Sequence, residues 1–320
     1  MTNTWGSYEC MGHAGRHMTS WSRNTQGYVL VIVMGLLAAL GVMALALGAA
    51  ARVDLAQTRR FQDETAAELL AKAGIDWTIH YLNTVERQGT LWQAPWTSQG
   101  ALFQGRSLGV GTFDVQYTDP RGTLHYGLQD EEARVNLNTA PVALLAALPG
   151  VGTEMAEAIV KHRQQGPWGA PEDLLHHGLV SAPVWHGSPE QAGLSAYLTV
   201  WGSGKININT ASPVVMTAVP GMTLALVEAI VRYRQGDDQQ LGTRDDRYFR
   251  TVADLTTLIG IDRRGLERAE GFFTVMPSAF RFIATGRVPR GTSQARTHLR
   301  LAVIERTAPA TTLRYWRRLE

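Results

Sequence analysis

The chain has 320 residues, enough for two domains of ordinary size or for one domain with a large insertion. Hydrophobic residues make up 45% and charged residues 18% of it, a balance that excludes a disordered chain. The net charge of +2 does not indicate a polyanionic partner, and the single cysteine, Cys10, excludes an intramolecular disulfide and a cysteine-ligated metal cluster.

An apolar segment follows the polar N-terminal region. Residues 28–51 form a run of 24 residues without a charged side chain. At about 1.5 Å per residue, a helix of this length crosses a hydrocarbon core of about 30 Å. The run is also longer than the apolar core of a cleavable secretory signal. The sequence therefore predicts a single membrane span, although the lysine and arginine counts on its two sides leave its orientation open.

The junction before this span is a polar stretch, Asn24-Thr25-Gln26-Gly27, followed at once by Tyr28. It resembles the cleavage site of type IV prepilins, where a dedicated peptidase cuts after the glycine. The resemblance implies that residues 1–27 are a prepilin leader, that Gly27 and Tyr28 form the processing site, and that the mature chain is methylated. Tyr28 departs from the phenylalanine usual in the family, and translation from Met18 would give a more typical leader.

Ile32, the fifth residue after this site, stands where most pilins carry glutamate. A carboxylate in lipid is costly unless it is paired. The resemblance to pilins implies that this glutamate pairs with the N-terminal amine of the subunit above it in the filament. A subunit at the tip has no subunit above it and therefore no such amine to pair with. The K-type minor pseudopilins of type II secretion have an apolar residue here, so Ile32 indicates a position at the tip.

The region after the span alternates between helical and strand patterns. An apolar stripe at spacings of three and four predicts that the helix continues to about Val85; it comprises Ala66, Leu70, Ala73, Trp77 and Tyr81. A membrane anchor followed by an unrelated helix is the alternative. Strand-like composition follows at residues 111–116, 123–128, 134–137, 272–275, 280–286, 298–306 and 313–316.

An internal repeat occupies the middle of the chain. Arg134-Val135-Asn136-Leu137-Asn138-Thr139-Ala140 recurs 71 residues later as Lys205-Ile206-Asn207-Ile208-Asn209-Thr210-Ala211. The same offset relates Pro149-Gly150 to Pro220-Gly221, so one supersecondary unit is used twice. We predict repeats at 134–175 and 205–258, each a strand, a helix, a tight turn and a helix, with Thr139 and Thr210 as helix N-caps.

This unit resembles the helix-hairpin-helix of DNA-binding proteins, in which turn amides and a helix N-terminus meet a phosphate. Here the first turn is followed by Glu154 and Glu157, which would repel a phosphate. The second turn, Pro220-Gly221-Met222-Thr223, lacks the second glycine. These departures argue against a nucleic-acid partner. The duplicated unit is also typical of K-type pseudopilins, where it resembles a helical domain inserted into the pilin sheet.

Four carboxylates lie in an insertion of the second repeat: Asp237, Asp238, Asp245 and Asp246. Carboxylate oxygens are the ligands that calcium prefers, and the resemblance to K-type pseudopilins implies that relatives bind calcium in this domain. The sequence therefore offers a candidate calcium site, with a solvated acidic loop as the alternative. The motifs of zinc proteases, serine hydrolases and phosphate-binding loops are missing from the sequence, which argues against an enzyme.

The expected fold is α+β: a type IV pilin-like long N-terminal helix and antiparallel sheet, with an inserted α-helical domain at 138–271. Residues 52–137 would supply the pilin-like helix and first strands, and 272–320 the C-terminal strands. The resemblance implies a bacterial inner-membrane protein with its bulk in the periplasm, at the tip of the type II secretion pseudopilus. Its implied partners are the I- and J-type pseudopilins, prepilin peptidase, the inner-membrane secretion platform and exported proteins. A membrane-anchored DNA receptor and a minor pilin of a type IV pilus are the alternatives.

Overall fold

The structure is a computed structural model that describes residues 25–87, 96–97, 100–119, 122–188, 190–243, 245–259, 261–290, 293–307 and 310–319. The predicted leader up to Asn24 lies outside these residues, as do Cys10 and the alternative start at Met18. The chain divides into two compact units, Met1–Arg59 and Arg60–Glu320.

The helices and strands follow one another in a simple order. A single helix, α1 (Thr25–Arg87), runs through the end of the first unit and into the second. It is followed by α2 (Gly100–Phe103), β1 (Arg106–Leu108), β2 (Gly111–Thr118), β3 (Leu124–Tyr126), β4 (Gln129–Asp130), β5 (Val135–Asn136), α3 (Val142–Ala146), α4 (Gly152–Arg163), α5 (Asp173–His176), α6 (Ala182–His186), β6 (Leu198–Thr199), β7 (Ile206–Asn207), α7 (Pro213–Thr217), α8 (Leu224–Arg234), α9 (Arg263–Phe272), β8 (Phe273–Thr274), β9 (Ala279–Arg290), β10 (Ser293–Thr307) and β11 (Ala310–Leu319).

The described part of the first unit is helical throughout, and its side chains from Gly27 to Arg59 are exposed. Within the described ranges, α1 is the one helix long and apolar enough to cross a membrane. A helix that is apolar on every side needs an apolar environment, which a lipid bilayer provides. The helix itself continues without a break past the apolar segment, as the sequence predicts.

The second unit contains a seven-stranded antiparallel sheet in the order β1-β2-β9-β10-β11, with β3 paired to β2 and β4 to β9. Leu70, Ile75 and Leu82 of α1 pack on it, against a core that includes Phe113 and Phe282. The predicted stripe is therefore confirmed in outline, although its centre is shifted. Ala66, Ala73, Trp77 and Tyr81 are only partly buried at the edge of this core.

Helix and sheet approach each other most closely at Gly286 on β9. A Cβ atom there would lie 2.0 Å from the carbonyl oxygen of Ala67. Three ion pairs hold α1 on the strands beside this contact: Asp63 with Arg290, Glu64 with Arg318, and Glu68 with Arg300.

The helical block lies between β4 and β9 and has its own core, which includes Leu145, Ile159, Val215 and Phe273. Each repeat closes with a short parallel pair, β5 with β6 in the first and β7 with β8 in the second. The predicted α+β fold, with helices inserted into an antiparallel sheet, is confirmed.

Two details of the prediction are corrected. The sequence assigns Phe273 to the C-terminal strands of the sheet, but this residue pairs with Ile206 and so completes the second repeat. The local strand pattern is right, but its partner lies 67 residues earlier in the chain, which periodicity does not reveal. The 134–137 strand likewise belongs to the first repeat, because Val135 pairs with Leu198.

Candidate functional site

The predicted processing residues lie on α1. Gly27, Tyr28 and Ile32 are within the helix, and the side chains of Tyr28 and Ile32 are 74% and 65% exposed. Cleavage after Gly27 and the tip-type role of Ile32 remain predictions, because they concern a peptidase and neighbouring subunits.

The four aspartates of the candidate calcium site are near one another in the chain, but their oxygens face their own loop. Asp245 Oδ2 accepts hydrogen bonds from the backbone N–H groups of Asp237 and Asp238, at 2.6 and 3.0 Å. Asp246 Oδ2 accepts from the Gly242 N–H, and Asp237 pairs with Arg247 at 2.5 Å. The Thr243 hydroxyl donates to Asp245 Oδ1 at 2.7 Å, and this bond, followed by the one from the Asp238 amide, lowers the pKa of Asp245 to about 2.

Within the described residues, no group of three or more His, Cys, Asp or Glu side chains could hold a metal ion as arranged. The donor set has the right chemistry for calcium, but the loop would have to release its backbone amides and Arg247 first. Calcium binding therefore remains a prediction.

The two repeats use the same internal clamp. In the first, Asn138 Oδ1 accepts from the Trp168 N–H at 2.8 Å and Asn138 Nδ2 donates to the Trp168 carbonyl at 3.1 Å. In the second, Asn209 makes the same pair of bonds with Phe249, at 2.8 and 2.9 Å. The arginine at the end of α4 and the one at the end of α8 each add a further hydrogen bond within their own repeat. Arg163 donates to the Ala140 carbonyl and Arg234 to the Ala211 carbonyl, both at 2.7 Å.

Each repeat also binds the segment that precedes the first strand of the other repeat. We call residues 130–134 the first arm and residues 201–205 the second arm; each precedes one repeat. Asn207 Nδ2 of the second repeat donates to Asp130 Oδ2 of the first arm, at 2.8 Å. Asn136 Nδ2 of the first repeat donates to the Trp201 carbonyl of the second arm, at 2.9 Å. The contact is reciprocal, as in an interface between two-fold related units.

This exchange corrects the predicted N-caps. Thr210 Oγ1 donates to Asp130 at 2.6 Å, and Thr139 Oγ1 donates to the Gly204 carbonyl at 3.5 Å, so both threonines bind the opposite arm. Pro141 stands at the N-cap of α3 without a side-chain bond, and Ser212 caps α7. The threonines precede the helices by too many residues to reach the free amides.

The first arm carries three consecutive buried carboxylates, which we call the acidic junction: Asp130, Glu131 and Glu132, at 3%, 0% and 1% exposure. Glu131 Oε1 meets two guanidinium groups, Arg134 at 3.0 Å and Arg281 of β9 at 3.1 Å. Its other oxygen accepts from the hydroxyl of Thr199. Glu131 thus joins the first repeat to the sheet.

Glu132 ties the second arm to the start of β9. Its Oε1 accepts from the backbone N–H and the hydroxyl of Ser203 and from the Ser278 hydroxyl, and its Oε2 accepts from the Ser278 N–H at 2.7 Å.

The pKa of Asp130 is raised to about 7 by burial and, next, by the charge of Glu132. Hydrogen bonds from Thr210, Glu132 and Asn207 oppose this shift.

Sequence reasoning missed the acidic junction. The sequence does show three consecutive acidic residues just before the first repeat, but such a run is normally interpreted as a solvent-exposed turn. Burial of the run depends on donors from Thr199, Ser203 and Asn207, some 70 residues away.

The comparisons with known proteins agree with this architecture. The family model described as the helix-hairpin-helix motif matches residues 130–178 and 202–274, which are the two repeats with their arms. The chain is 29% identical over 165 residues to the bovine (Bos taurus) endonuclease/exonuclease/phosphatase family domain-containing protein 1. This match covers 43% of the chain and 27% of the relative's length.

A solved structure matches most of the chain. The crystal structure of the GspK-GspI-GspJ complex from the enterotoxigenic Escherichia coli type 2 secretion system contains a chain that superposes with a TM-score of 0.53, at 15% identity. The match covers 82% of this chain and 99% of that one, its GspK subunit. The long helix on an antiparallel sheet and the inserted helix-hairpin-helix repeats are therefore the fold of a GspK pseudopilin.

Proposed function

We propose that this chain is the K-type minor pseudopilin of a type II secretion system, and that it forms the tip of the pseudopilus and initiates its assembly. The observation that supports this most is the position of the two-repeat block, inserted between β4 and β9 of a sheet that carries the long helix α1. The match to GspK over 99% of that chain adds to it.

The proposed mechanism is structural. The apolar part of α1 anchors the chain in the inner membrane, with the second unit in the periplasm, and prepilin peptidase removes the leader. The partners are the I- and J-type pseudopilins, by analogy with the complex in which GspK was solved. Ile32 supports a place with no subunit above it, because a carboxylate there would have no amine to neutralise.

This proposal is tested in the bacterium that carries the gene. Deleting the gene should abolish export of a folded type II substrate and leave twitching motility intact. In a second experiment, the full chain should co-purify with the I- and J-type pseudopilins from detergent extracts. Normal export combined with lost pili would favour the alternative of a type IV minor pilin. Restored export by the wild-type gene serves as the control.

The first turns of the hairpin helices do not favour a DNA receptor. Glu154 and Glu157 are exposed on α4, and α8 begins with Leu224, which is 64% exposed. Neither helix has a cation in its first turn to meet a phosphate. We therefore expect no salt-dependent binding of the full chain to duplex DNA.

A further inference from the structure

The ion pairs of the acidic junction are unevenly distributed among its three carboxylates. Three carboxylates meet two guanidinium groups, Arg134 and Arg281, and both of these lie against Glu131. Asp130 and Glu132 are bound by neutral donors. Burying an anion without a cation is costly, so the buried carboxyl of Asp130 gains by holding a proton.

Asp130 and Glu132 lie on one short turn, in which Asp130 Oδ1 accepts from the Glu132 N–H at 2.8 Å. The charge of Glu132 adds to burial in raising the pKa of Asp130. Charged groups from several elements surround Asp130 and Glu132. They are Glu131 and Arg134 of the first arm, Glu172 ahead of α5, Arg281 of β9, and Glu305 and Arg306 of β10.

We propose that the acidic junction is a proton-controlled clamp, in which a proton on the buried carboxyl of Asp130, beside Glu132, keeps the second repeat and its arm bound to the sheet. As the pH rises, the proton leaves the carboxyl for water and no other bond changes. Two adjacent buried anions then remain, and their repulsion weakens the contacts that end at Asn207, Ser203 and Ser278. The inference is independent of the secretion role.

The direction follows from proton linkage. The pKa of Asp130 is near 7 in the folded chain and near 3.8 as the ordinary value, so the folded state binds more protons between these limits. The stability that this proton contributes is present at low pH and is lost as the pH rises through about 7. Opening of the junction should therefore increase about tenfold between pH 6 and pH 8 and then become independent of pH.

Hydrogen exchange of the full chain in detergent micelles, read by mass spectrometry at pH 6, 7, 8 and 9, tests the clamp. Rates are corrected for the intrinsic pH dependence of exchange. The peptides of interest contain the amides of Glu132, Ser203 and Ser278. Peptides from the β2–β9 ladder serve as an internal reference.

We expect the junction peptides to lose protection about tenfold between pH 6 and pH 8, while the reference peptides do not. Asp130→Asn should remove this pH dependence, and Glu190→Gln, which changes an exposed carboxylate, should leave it intact. Equal protection of the wild-type junction at pH 6 and pH 8 would overturn the proposal, even if Asp130→Asn does not fold. An unchanged pH profile in a folded Asp130→Asn chain would also overturn it.

Discussion

The backbone N–H of Ser203 donates to Glu132 Oε1 at 2.7 Å, and these two residues occupy the same position in their respective repeats, 71 residues apart. Contact between equivalent positions is what a two-fold relation produces at its axis. The exchanged bonds of Asn136 and Asn207 lie on either side of this point. The helical block is therefore a pair of repeats joined face to face, and Glu132 also fixes that pair to Ser278 of the sheet.

Removal of the Glu131 carboxylate should destabilise the second unit. Glu131→Ala leaves Arg134 and Arg281 facing each other without their shared anion, a loss expected to cost about 3–5 kcal/mol. Thermal unfolding of the full chain in detergent measures the change. Glu64→Ala removes an exposed ion pair with Arg318 and should cost about 0–1 kcal/mol. Similar losses in the two variants would contradict the assigned role of Glu131.

Gly286→Ala should disturb the contact between α1 and the sheet. Its Cβ would lie 2.0 Å from the Ala67 carbonyl oxygen, so helix and strand must separate at a cost of about 1–3 kcal/mol or more. The urea midpoint of the full chain reports this cost. Gly166→Ala is the matched control, because a Cβ there meets no atom within 4 Å. A Gly286→Ala chain as stable as this control would show that the helix does not pack as described.

The asparagine clamps predict an order of effects between the repeats. Asn209 is 5% exposed and binds Phe249 twice and the Val275 carbonyl, whereas Asn138 is only partly buried and binds Trp168 twice. Asn209→Ala should cost about 1–3 kcal/mol for each buried group left without a partner, and Asn138→Ala should cost less. Chemical unfolding of both variants gives the comparison, and the reverse order would count against it.

Calcium is tested most simply by its effect on unfolding. If the loop binds the ion, calcium at a hundredfold excess over its dissociation constant stabilises the folded chain by about 2.7 kcal/mol, and a chelator reverses the effect. Asp245→Asn should abolish the calcium response, whatever its own melting temperature. Magnesium is the control for general ionic effects. An unchanged melting temperature of the wild-type chain after calcium addition and after chelation would rule out the site.

The elements that the sequence predicted well are those with a local signal. The apolar run of α1 and the apolar stripe that includes Leu70 are visible within short windows of the sequence. The repeat that relates Asn138 to Asn209 is visible as identical residues at a fixed offset. The partner of Phe273, the burial of Glu131 and the role of Thr210 depend on residues far away in the chain. Hydrophobic periodicity and secondary-structure propensity are local and do not reveal contacts between distant residues. The reciprocal arms and the acidic junction were therefore found only in the structure.

The central claim is tested most directly by N-terminal sequencing of the full chain, recovered from membranes of cells with and without prepilin peptidase. The proposal predicts a mature chain that begins at Tyr28 when the peptidase is present, and a longer precursor when it is not. A chain that keeps its leader in both strains would contradict the assignment as a pseudopilin and would leave a membrane-anchored pair of helix-hairpin-helix repeats.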